Sequence, residues 1–384
     1  MQIKVGVIGL GNMGSAHCDW LNTHPGFLLT AIADELPARR ARLAHLGALA
    51  TYESGELLIA GGDCDAVVIA TPHLSHVKLA VSALKAGLHV LVEKPIASEI
   101  ADAEQLLAVP LGKGQQLALM FNQRTNPAYQ AIRALVAEQR YGRLRRMNWV
   151  ITDWFRSQSY FDSGQWRATW RGEGGGALLN QAPHQLDLLC WMFGRPKSVF
   201  ANCGFGRWHD ISVEDEVSGI LTFDSGATGV FVTSTGEAPG GNRLEVVLDR
   251  ATLVYNTKDG ELQITETEVA VSDAIKTNKA FQKPKFHHTV EPFASQGGQH
   301  LAVLDNFAAA IRGDAELIAP GAEGLDSLML ANALILSGWT QKLIELPLSS
   351  ARYRRFLRAR MRDEPVTPKG TGADVLNDIK DSQS

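Results

Sequence analysis

The first third of the chain alternates short apolar runs with segments of helical periodicity. The apolar runs cover residues 3–8, 28–33, 66–70, 90–92 and 117–121. They are continuous rather than alternating, which is typical of strands buried on both faces of a parallel sheet. Because helix-like segments connect these strands, the pattern predicts an α/β domain that ends near residue 122.

A different pattern begins at about residue 145. Longer strand-like segments span residues 146–153, 198–204, 216–223, 227–234, 243–248 and 251–256, and turns such as Asp224-Ser225-Gly226 are typical of hairpins. They predict an α+β domain with an open-faced, mostly antiparallel sheet, followed by helices at 299–312 and 323–341. Beyond residue 362 the chain is rich in Pro, Gly, Asp and Ser, which predicts a solvated or partner-gripping extension. The predicted domains are 1–122 and 123–350, with an extension over 351–384.

Composition narrows the class of protein. A length of 384 residues is typical of two domains, and a hydrophobic content of 45% allows a substantial core. The net charge is −4 and the basic residues are mostly scattered, so nucleic acid is not an expected partner. No apolar run approaches the roughly 18 residues of a membrane span, and the chain opens on a strand rather than a signal peptide. We therefore expect no membrane partner and a cytoplasmic location.

A glycine-rich turn follows the first strand. The segment Gly9-Leu10-Gly11-Asn12-Met13-Gly14 has the G-x-G-x-x-G spacing and lies between a strand and a helix. Gly9 allows a sharp turn, Gly11 lets a pyrophosphate approach the backbone, and Gly14 lets the helix pack closely on the strand. The free N–H groups at the start of the helix favour an anion. The motif predicts a dinucleotide-binding Rossmann domain, with Asn12 and Met13 also contacting the cofactor.

An acidic residue follows the second strand. Asp34 comes 20 residues after Gly14, where a carboxylate would bind the ribose 2′-hydroxyl and repel a 2′-phosphate. NAD is therefore favoured over NADP. Arg39 and Arg40 would weaken this preference if they turned inward, but we interpret them as part of a solvated face.

Further motifs occur along the chain in a fixed order. They are Ala70-Thr71-Pro72-His73 with His76, the triplet Glu93-Lys94-Pro95, Asn122 with Arg124, and Gly174-Gly175-Gly176 leading to His184 and Asp187. Together with the first glycine motif, this set resembles the Gfo/Idh/MocA family, and the likeness covers residues 3 to about 345. The resemblance implies a Rossmann domain plus an open-faced sheet domain, with dimers or tetramers formed through that sheet.

The resemblance also implies NAD as the cofactor and a role for individual residues. The implied contacts are Thr71, Pro72, His73 and His76 on the adenosine and ribose side, Glu93 and Lys94 beside the nicotinamide, and Asn122. In this family the lysine of the E-K-P triplet is usually catalytic, and the histidine after the glycine run is usually the proton acceptor. Those residues are Lys94 and His184 in this chain.

The chemistry of alcohol oxidation suits these two residue types. A secondary alcohol loses a hydride and a proton, and histidine is well matched to proton transfer near neutral pH, which suits His184. A lysine ammonium can hold the hydroxyl and stabilise the developing alkoxide, which suits Lys94. Asn180, His184 and Asp187 share one face if residues 178–191 form a continuous helix, although Pro183 would kink that helix or mark its start.

The sequence departs from the commoner family pattern at Asn180, where an aspartate usually stands. A neutral amide can bind a hydroxyl but cannot stabilise a protonated histidine as a carboxylate would. We interpret this departure as a change in substrate contacts rather than a loss of activity.

Aromatic and basic residues precede the glycine run and suggest a sugar. Aromatic faces stack on pyranose rings and arginines donate to their hydroxyls. Trp170 is equally compatible with the protein core. The expected substrate contacts are Tyr160, Trp166, Arg167, Asn180 and Arg124. The stretch around the glycine run resembles the branch that oxidises glycosides, including anhydrosugars, at the 3-hydroxyl.

Two other functions compete with an NAD-dependent sugar dehydrogenase. One is a redox-neutral glycosidase or lyase that retains NAD and acts through a transient 3-keto sugar. The other is a non-catalytic sensor or scaffold, against which the presence of both Lys94 and His184 argues. Neither His287 with His288 nor His73 with His76 is completed by a cluster with metal-ligand spacing, so no metal is expected.

Overall fold

A parallel sheet forms the first part of the computed structural model, which describes residues 2–365. Six strands make up this sheet in the described chain, in the spatial order β3-β2-β1-β4-β5-β6. The strands are β1 (Ile3–Ile8), β2 (Phe27–Ala33), β3 (Ala50–Tyr52), β4 (Ala66–Ile69), β5 (His89–Val92) and β6 (Leu117–Leu119). The connecting helices are α1 (Asn12–Thr23), α2 (Pro37–Arg42), α3 (Gly55–Gly61), α4 (His73–Lys85) and α5 (Ile100–Leu107). The predicted Rossmann sheet is confirmed.

A second, mixed sheet follows, with nine strands in the part of the chain that is described. Its strands are β7 (Leu144–Ile151), β8 (Ser198–Phe205), β9 (Glu214–Thr222), β10 (Thr228–Ser234), β11 (Asn242–Leu248), β12 (Ala251–Asn256), β13 (Glu261–Thr267), β14 (Phe286–Pro292) and β15 (Ile344–Glu345). Their spatial order is β14-β13-β12-β11-β7-β10-β9-β8-β15. The sheet is mostly antiparallel, as predicted, but the neighbouring strands β7 and β10 run parallel.

One face of the second sheet is covered by helices and the other is open. The remaining helices are α6 (Pro127–Ala137), α7 (Gln158–Asp162), α8 (Ala177–Asn180), α9 (Pro183–Phe193), α10 (Val271–Ala274), α11 (Gln299–Arg312), α12 (Gly324–Thr340) and α13 (Ser350–Asp363). Helix α12 packs on β8 and on α9, and it is buried almost all round. Along β9, buried residues alternate with exposed ones, as expected for a half-covered antiparallel strand.

The two sheets are joined by more than one connection. Helix α11 buries Val303, Leu304 and Phe307 in the same core as Phe27 of the first sheet. In α12 the side chain of Asn332 accepts from the Ile100 backbone N–H at 3.2 Å and donates to the Ser98 carbonyl at 3.2 Å. These contacts fix the position of the second sheet relative to the carboxyl ends of the parallel strands, where a ligand crevice is expected.

Two sequence-based predictions need correction. The stretch 178–191 is not one helix, because α8 ends at Asn180 and Pro183 begins α9, as suits a residue without a backbone donor. The start of the extension predicted over 351–384 is not separate from the fold, because it forms an amphipathic helix, α13, whose Tyr353 and Leu357 are buried; the solvated part was predicted only beyond residue 362. The rest of the predicted extension, 366–384, lies outside the described residues. Among residues 2–365, no helix has both the length and the apolar character needed to cross a membrane.

Candidate active site

The glycine-rich turn has the geometry of a dinucleotide cradle. Gly9 has a φ of +89°, and a Cβ at this position would lie 2.8 Å from the Ala70 carbonyl oxygen. A Cβ on Gly14 would lie 1.7 Å from the Gly9 carbonyl oxygen, so helix α1 packs directly on the turn. By contrast, a Cβ on Gly11 would meet no atom within 4 Å, which leaves open space over the start of α1. The turn therefore fits a pyrophosphate at the helix N-terminus.

Asp34 lies beside this turn, at the end of β2. Its carboxylate accepts from the Leu10 backbone N–H at 2.8 Å and from the Leu36 N–H at 2.9 Å. The arginines that we expected to be solvated turn inward instead: Arg39 lies 3.5 Å from the Asp34 carboxylate, and the Arg40 guanidinium donates to the Asp34 carbonyl oxygen. The reason is electrostatic, since Asp34 and the free carbonyls at this end of the sheet attract both cations.

The turn after β4 brings Thr71 and His76 next to the E-K-P triplet. Both ring nitrogens of the buried His76 lie near backbone carbonyls, Pro95 at 2.9 Å and Thr71 at 2.7 Å. We therefore assign His76 to holding the two turns together rather than to direct contact with NAD. Pro72 precedes α4, and the His73 ring lies 5.9 Å from the Trp166 ring, so His73 faces the segment before the second glycine run.

Glu93 and Lys94 extend in different directions from the end of β5. Burial alone would raise the pKa of Glu93, but the His17 ring, which donates to its carboxylate at 2.8 Å, outweighs that effect and the pKa falls to about 2. Lys94 donates from Nζ to the Asn180 carbonyl oxygen at 2.7 Å. Burial lowers the pKa of Lys94, whereas the nearby Glu93 and Glu173 carboxylates raise it.

His184 lies in the first turn of α9, four residues after the carbonyl that binds Lys94. Its ring packs edge-on against Phe121, with centroids 6.2 Å apart, and its Nδ1 is buried without a hydrogen-bond partner among residues 2–365. Burial lowers the pKa of His184 well below the ordinary value, and the positive charge of Lys94 lowers it further. The start of a helix also disfavours an imidazolium. His184 is therefore a neutral imidazole at neutral pH, with a nitrogen available.

Hydrogen bonds connect the side chain of Asn180 to Glu173 and to Tyr160, which in turn contacts Arg167. The Asn180 Nδ2 donates to the Glu173 carboxylate, and the Tyr160 hydroxyl donates to the Asn180 Oδ1 at 3.4 Å. Arg167 donates to the Tyr160 hydroxyl at 2.9 Å and lies over the Tyr160 and Trp166 rings, 4.6 and 4.5 Å from their centroids. The structure thus brings the expected substrate contacts Tyr160, Trp166, Arg167 and Asn180 together.

Arg124 does not share this environment. It is 2% exposed, and Nε and Nη2 donate to both oxygens of the Asp187 carboxylate at 2.7 and 2.6 Å. Nη1 donates to Glu323 and to the Ile318 carbonyl. Since the whole guanidinium is used within the protein, we assign Arg124 and Asp187 to positioning α9 rather than to binding substrate. Trp170 is likewise a core residue, 3% exposed and packed on other aromatic rings.

Asn122 retains an unused acceptor. Its Nδ2 donates to Gln299 at 2.6 Å, while its buried Oδ1 has no partner among the described residues. Such an orphaned buried oxygen fits a contact with a bound group.

Sequence reasoning missed His17 and Glu173. Nothing in the sequence around His17 points to its partner, which is 76 residues away. Glu173 does carry a signal, because it is the one charged residue between Arg171 and His184, in a segment otherwise of glycine, small, apolar and amide residues. Within residues 2–365, no three His, Cys, Asp or Glu side chains are grouped as metal ligands.

Two family models match this chain. One is described as the oxidoreductase family, NAD-binding Rossmann fold, and matches residues 3–121. The other is described as the GFO/IDH/MocA C-terminal domain and matches residues 129–254. The two matches follow one another along the chain and include the whole first sheet and strands β7 to β11 of the second.

Individual relatives agree with the family models. Inositol 2-dehydrogenase of Rhizobium meliloti (strain 1021) is 26% identical over 88% of this chain and 97% of its own length. The structure of the WlbA dehydrogenase from Bordetella pertussis with NADH and UDP-GlcNAcA is 27% identical, with a TM-score of 0.76 over 91% of this chain and all of that one. Levoglucosan dehydrogenase in complex with NADH and levoglucosan, 21% identical, has a TM-score of 0.76 over the same shares and shows the same fold.

Proposed function

The chain belongs to the Gfo/Idh/MocA family of NAD-binding oxidoreductases, and from this premise we propose that it oxidises a secondary hydroxyl of a sugar, glycoside or anhydrosugar, at carbon 3. The observation that carries the proposal is the convergence of Lys94 and His184 where α8 ends and α9 begins. Lys94 reaches the Asn180 carbonyl, and its charge acts on the His184 ring.

The proposed mechanism divides the hydride and the proton between two groups. When bound in the glycine cradle, NAD supplies the acceptor for the hydride that leaves the carbon. His184 is neutral and its side chain is only partly buried, so its ring can take the hydroxyl proton. Lys94 donates to the same oxygen and stabilises the alkoxide as the proton leaves. The edge of Phe121 against His184 keeps water from one side of the ring.

The substrate class follows from the residues around Asn180. Aromatic rings and an arginine suit the apolar faces and hydroxyls of a sugar ring, and Tyr160, Trp166 and Arg167 supply both. The names of the relatives, inositol 2-dehydrogenase and levoglucosan dehydrogenase, point to the same class of polyhydroxylated rings. Carbon 3 is proposed because the stretch around the glycine run resembles the branch that oxidises glycosides and anhydrosugars there.

We also propose that the chain forms a homodimer or homotetramer through the open face of its second sheet. On that face Phe200, Ile220 and Val230 lie side by side on β8, β9 and β10, in direct register. All three are at least 38% exposed. A continuous apolar row on a sheet surface is typical of a surface that is covered by another subunit.

Absorbance at the reduced-nicotinamide band tests the activity directly. The purified protein with NAD is offered inositols, free sugars, anhydrosugars and glycosides, and we expect reduction with one class. Lys94→Ala and His184→Ala should each lower turnover by at least about 100-fold, the contribution of a positioned proton-transfer group. Near-normal turnover in both variants would contradict the site. Consumption of substrate with no net reduction of NAD would favour a redox-neutral glycosidase over a dehydrogenase.

A further inference from the structure

Glu173 is a buried carboxylate with no role in the mechanism above. It is 2% exposed and stands directly before the glycine run. One oxygen accepts from the Asn180 amide, and the other accepts from the Ala168 backbone N–H at 2.6 Å. Burial raises the pKa of Glu173, but both of its oxygens face N–H donors and the nearby Arg167 and Lys94 are cationic, and these contacts favour the ionised carboxylate.

This contact determines which way the Asn180 amide points. Because Nδ2 faces Glu173, Oδ1 faces the Tyr160 hydroxyl at 3.4 Å and Gln181 Nε2 at 3.2 Å. The main-chain oxygen of Asn180 receives Lys94 at 2.7 Å. Asn180 is thus held at its side chain by Glu173 and at its backbone by Lys94. The amide presents an acceptor oxygen toward the residues that we expect to contact substrate.

Glu173 also contributes to the balance of charge around Lys94. Two carboxylates, Glu93 and Glu173, favour the ammonium, whereas Arg167 and Arg156 disfavour it. The positive charge of Lys94 in turn helps to lower the pKa of four histidines: His73, His76, His184 and His300. The Glu93 carboxylate is hydrogen-bonded to the His17 ring in α1, on the side of the expected cofactor site. Glu173 is therefore the carboxylate on the Asn180 side of the lysine.

We propose that Glu173 is a positioning residue of this active site, which orients the amide of Asn180 and supplies the negative charge beside Lys94. The Glu173 carboxylate belongs to a residue seven positions before Asn180, where the commoner family pattern described above has an aspartate. This explains how a neutral Asn180 is compatible with the site. The inference rests on the proposed function, since both concern the same catalytic centre.

The first test measures Lys94 itself and needs no substrate. Competitive labelling of the full-length protein with acetic anhydride, read by mass spectrometry of the Lys94 peptide, gives the pKa of this lysine. We expect Glu173→Gln to lower it by about one unit, as for loss of one nearby opposite charge. The double variant Glu173→Gln with Asn180→Asp places the carboxylate at position 180 instead of position 173. It should restore the pKa of Lys94. Glu214→Gln is the matched control, because Glu214 is also buried but binds the Gly176 and Leu178 backbone N–H groups.

Kinetics supply the second readout. In Glu173→Gln we expect kcat to fall about tenfold and the alkaline limb of the pH profile to move to lower pH, with recovery of both in the double variant. A Lys94 pKa that is the same in Glu173→Gln as in Glu214→Gln would overturn the proposal, and so would a double variant that recovers neither quantity. If no sugar reduces NAD, the proposed function fails, while the labelling result still decides the role of Glu173.

A variant that keeps the negative charge tests the proposal even if Glu173→Gln does not fold. Glu173→Asp retains the carboxylate but draws it back from Asn180. We expect it to keep the Lys94 pKa near that of the wild type while raising the KM for sugar. A Lys94 pKa lowered by about one unit in Glu173→Asp would contradict the assignment of charge to this residue.

Discussion

At the scale of single residues, burial changes the pKa of both side chains that act on the substrate hydroxyl in the proposed mechanism. It lowers the pKa of His184 well below its ordinary value and also lowers that of Lys94. A base acts when deprotonated, so the acid limb of kcat/KM should lie below pH about 6.5, the ordinary value for histidine. Lys94 acts when charged, so the alkaline limb should lie below pH about 10.4, the ordinary value for lysine. The measurement is kcat/KM for the sugar between pH 5 and pH 10.

The variants assign each limb to its residue. His184→Ala should remove the acid limb from the residual activity, and Lys94→Ala should remove the alkaline limb. An acid limb at or above pH about 6.5 that survives His184→Ala would mean that a different residue is the base.

At the scale of elements, helix α13 connects the first sheet to the segment that carries Trp166 and Arg167. Near its start, Arg354 donates to Glu99 at 2.7 Å and to Asp102 at 2.6 Å, at the beginning of α5. At its end, Glu364 is 8% exposed and accepts from the Trp170 and Arg171 backbone N–H groups at 2.8 and 3.0 Å. The helix therefore holds the backbone of residues 170 and 171, which lie between Arg167 and Glu173 in the chain.

This contact gives a prediction for substrate binding. Glu364→Gln loses the charge and one of the acceptors, and hydrogen bonds to charged groups contribute about 1.5–3 kcal/mol each. We expect the KM for the sugar to rise about tenfold, which corresponds to about 1.4 kcal/mol. The KM for NAD should change much less, because Glu364 binds the backbone of residues 170 and 171 and no part of the glycine cradle in the described chain. Steady-state kinetics with each substrate varied in turn measures both.

Asp363→Asn is the control for Glu364→Gln. It makes the same chemical change at the neighbouring position, where the aspartate pairs only with the partly buried Arg360 and the exposed Arg362 in the described chain. Equal effects of the two variants on the KM for sugar would mean that α13 stabilises the fold without positioning the segment.

The elements differ in how well the sequence predicts them. Strands β1 and β12 have the predicted bounds, because a strand packed in a core shows its burial in its own residues. Strand β14 was missed, since its seven residues are all exposed and carry no apolar alternation. The same distinction holds at the site. The glycine turn, Lys94 and His184 belong to local motifs, whereas His17 and Glu364 act through partners 76 and 194 residues away. No local pattern records such pairs.

At the scale of the whole molecule, the open face of the second sheet carries a row of exposed apolar side chains. Phe200, Ile220 and Val230 form its row, and Ile220, in the centre, is 57% exposed. Because interface centres are apolar and depleted of charge, Ile220→Arg should disrupt the proposed oligomer. We expect a dimer or tetramer for the wild type and a monomer for the variant at micromolar concentration, as measured by light scattering after size-exclusion chromatography.

Leu57→Arg separates an interface effect from a general effect of adding charge. Leu57 is similarly exposed, at 53%, but lies on α3 beside the first sheet. It should leave the oligomer intact. The active-site residues come from the turns of the first sheet and from the helices and loops between β7 and β8, and none of them lies on the open face. A folded Ile220→Arg monomer should therefore keep its kcat within about twofold. A monomeric wild type would contradict the interface, whereas loss of activity in a folded monomer would mean that a second subunit supports the site.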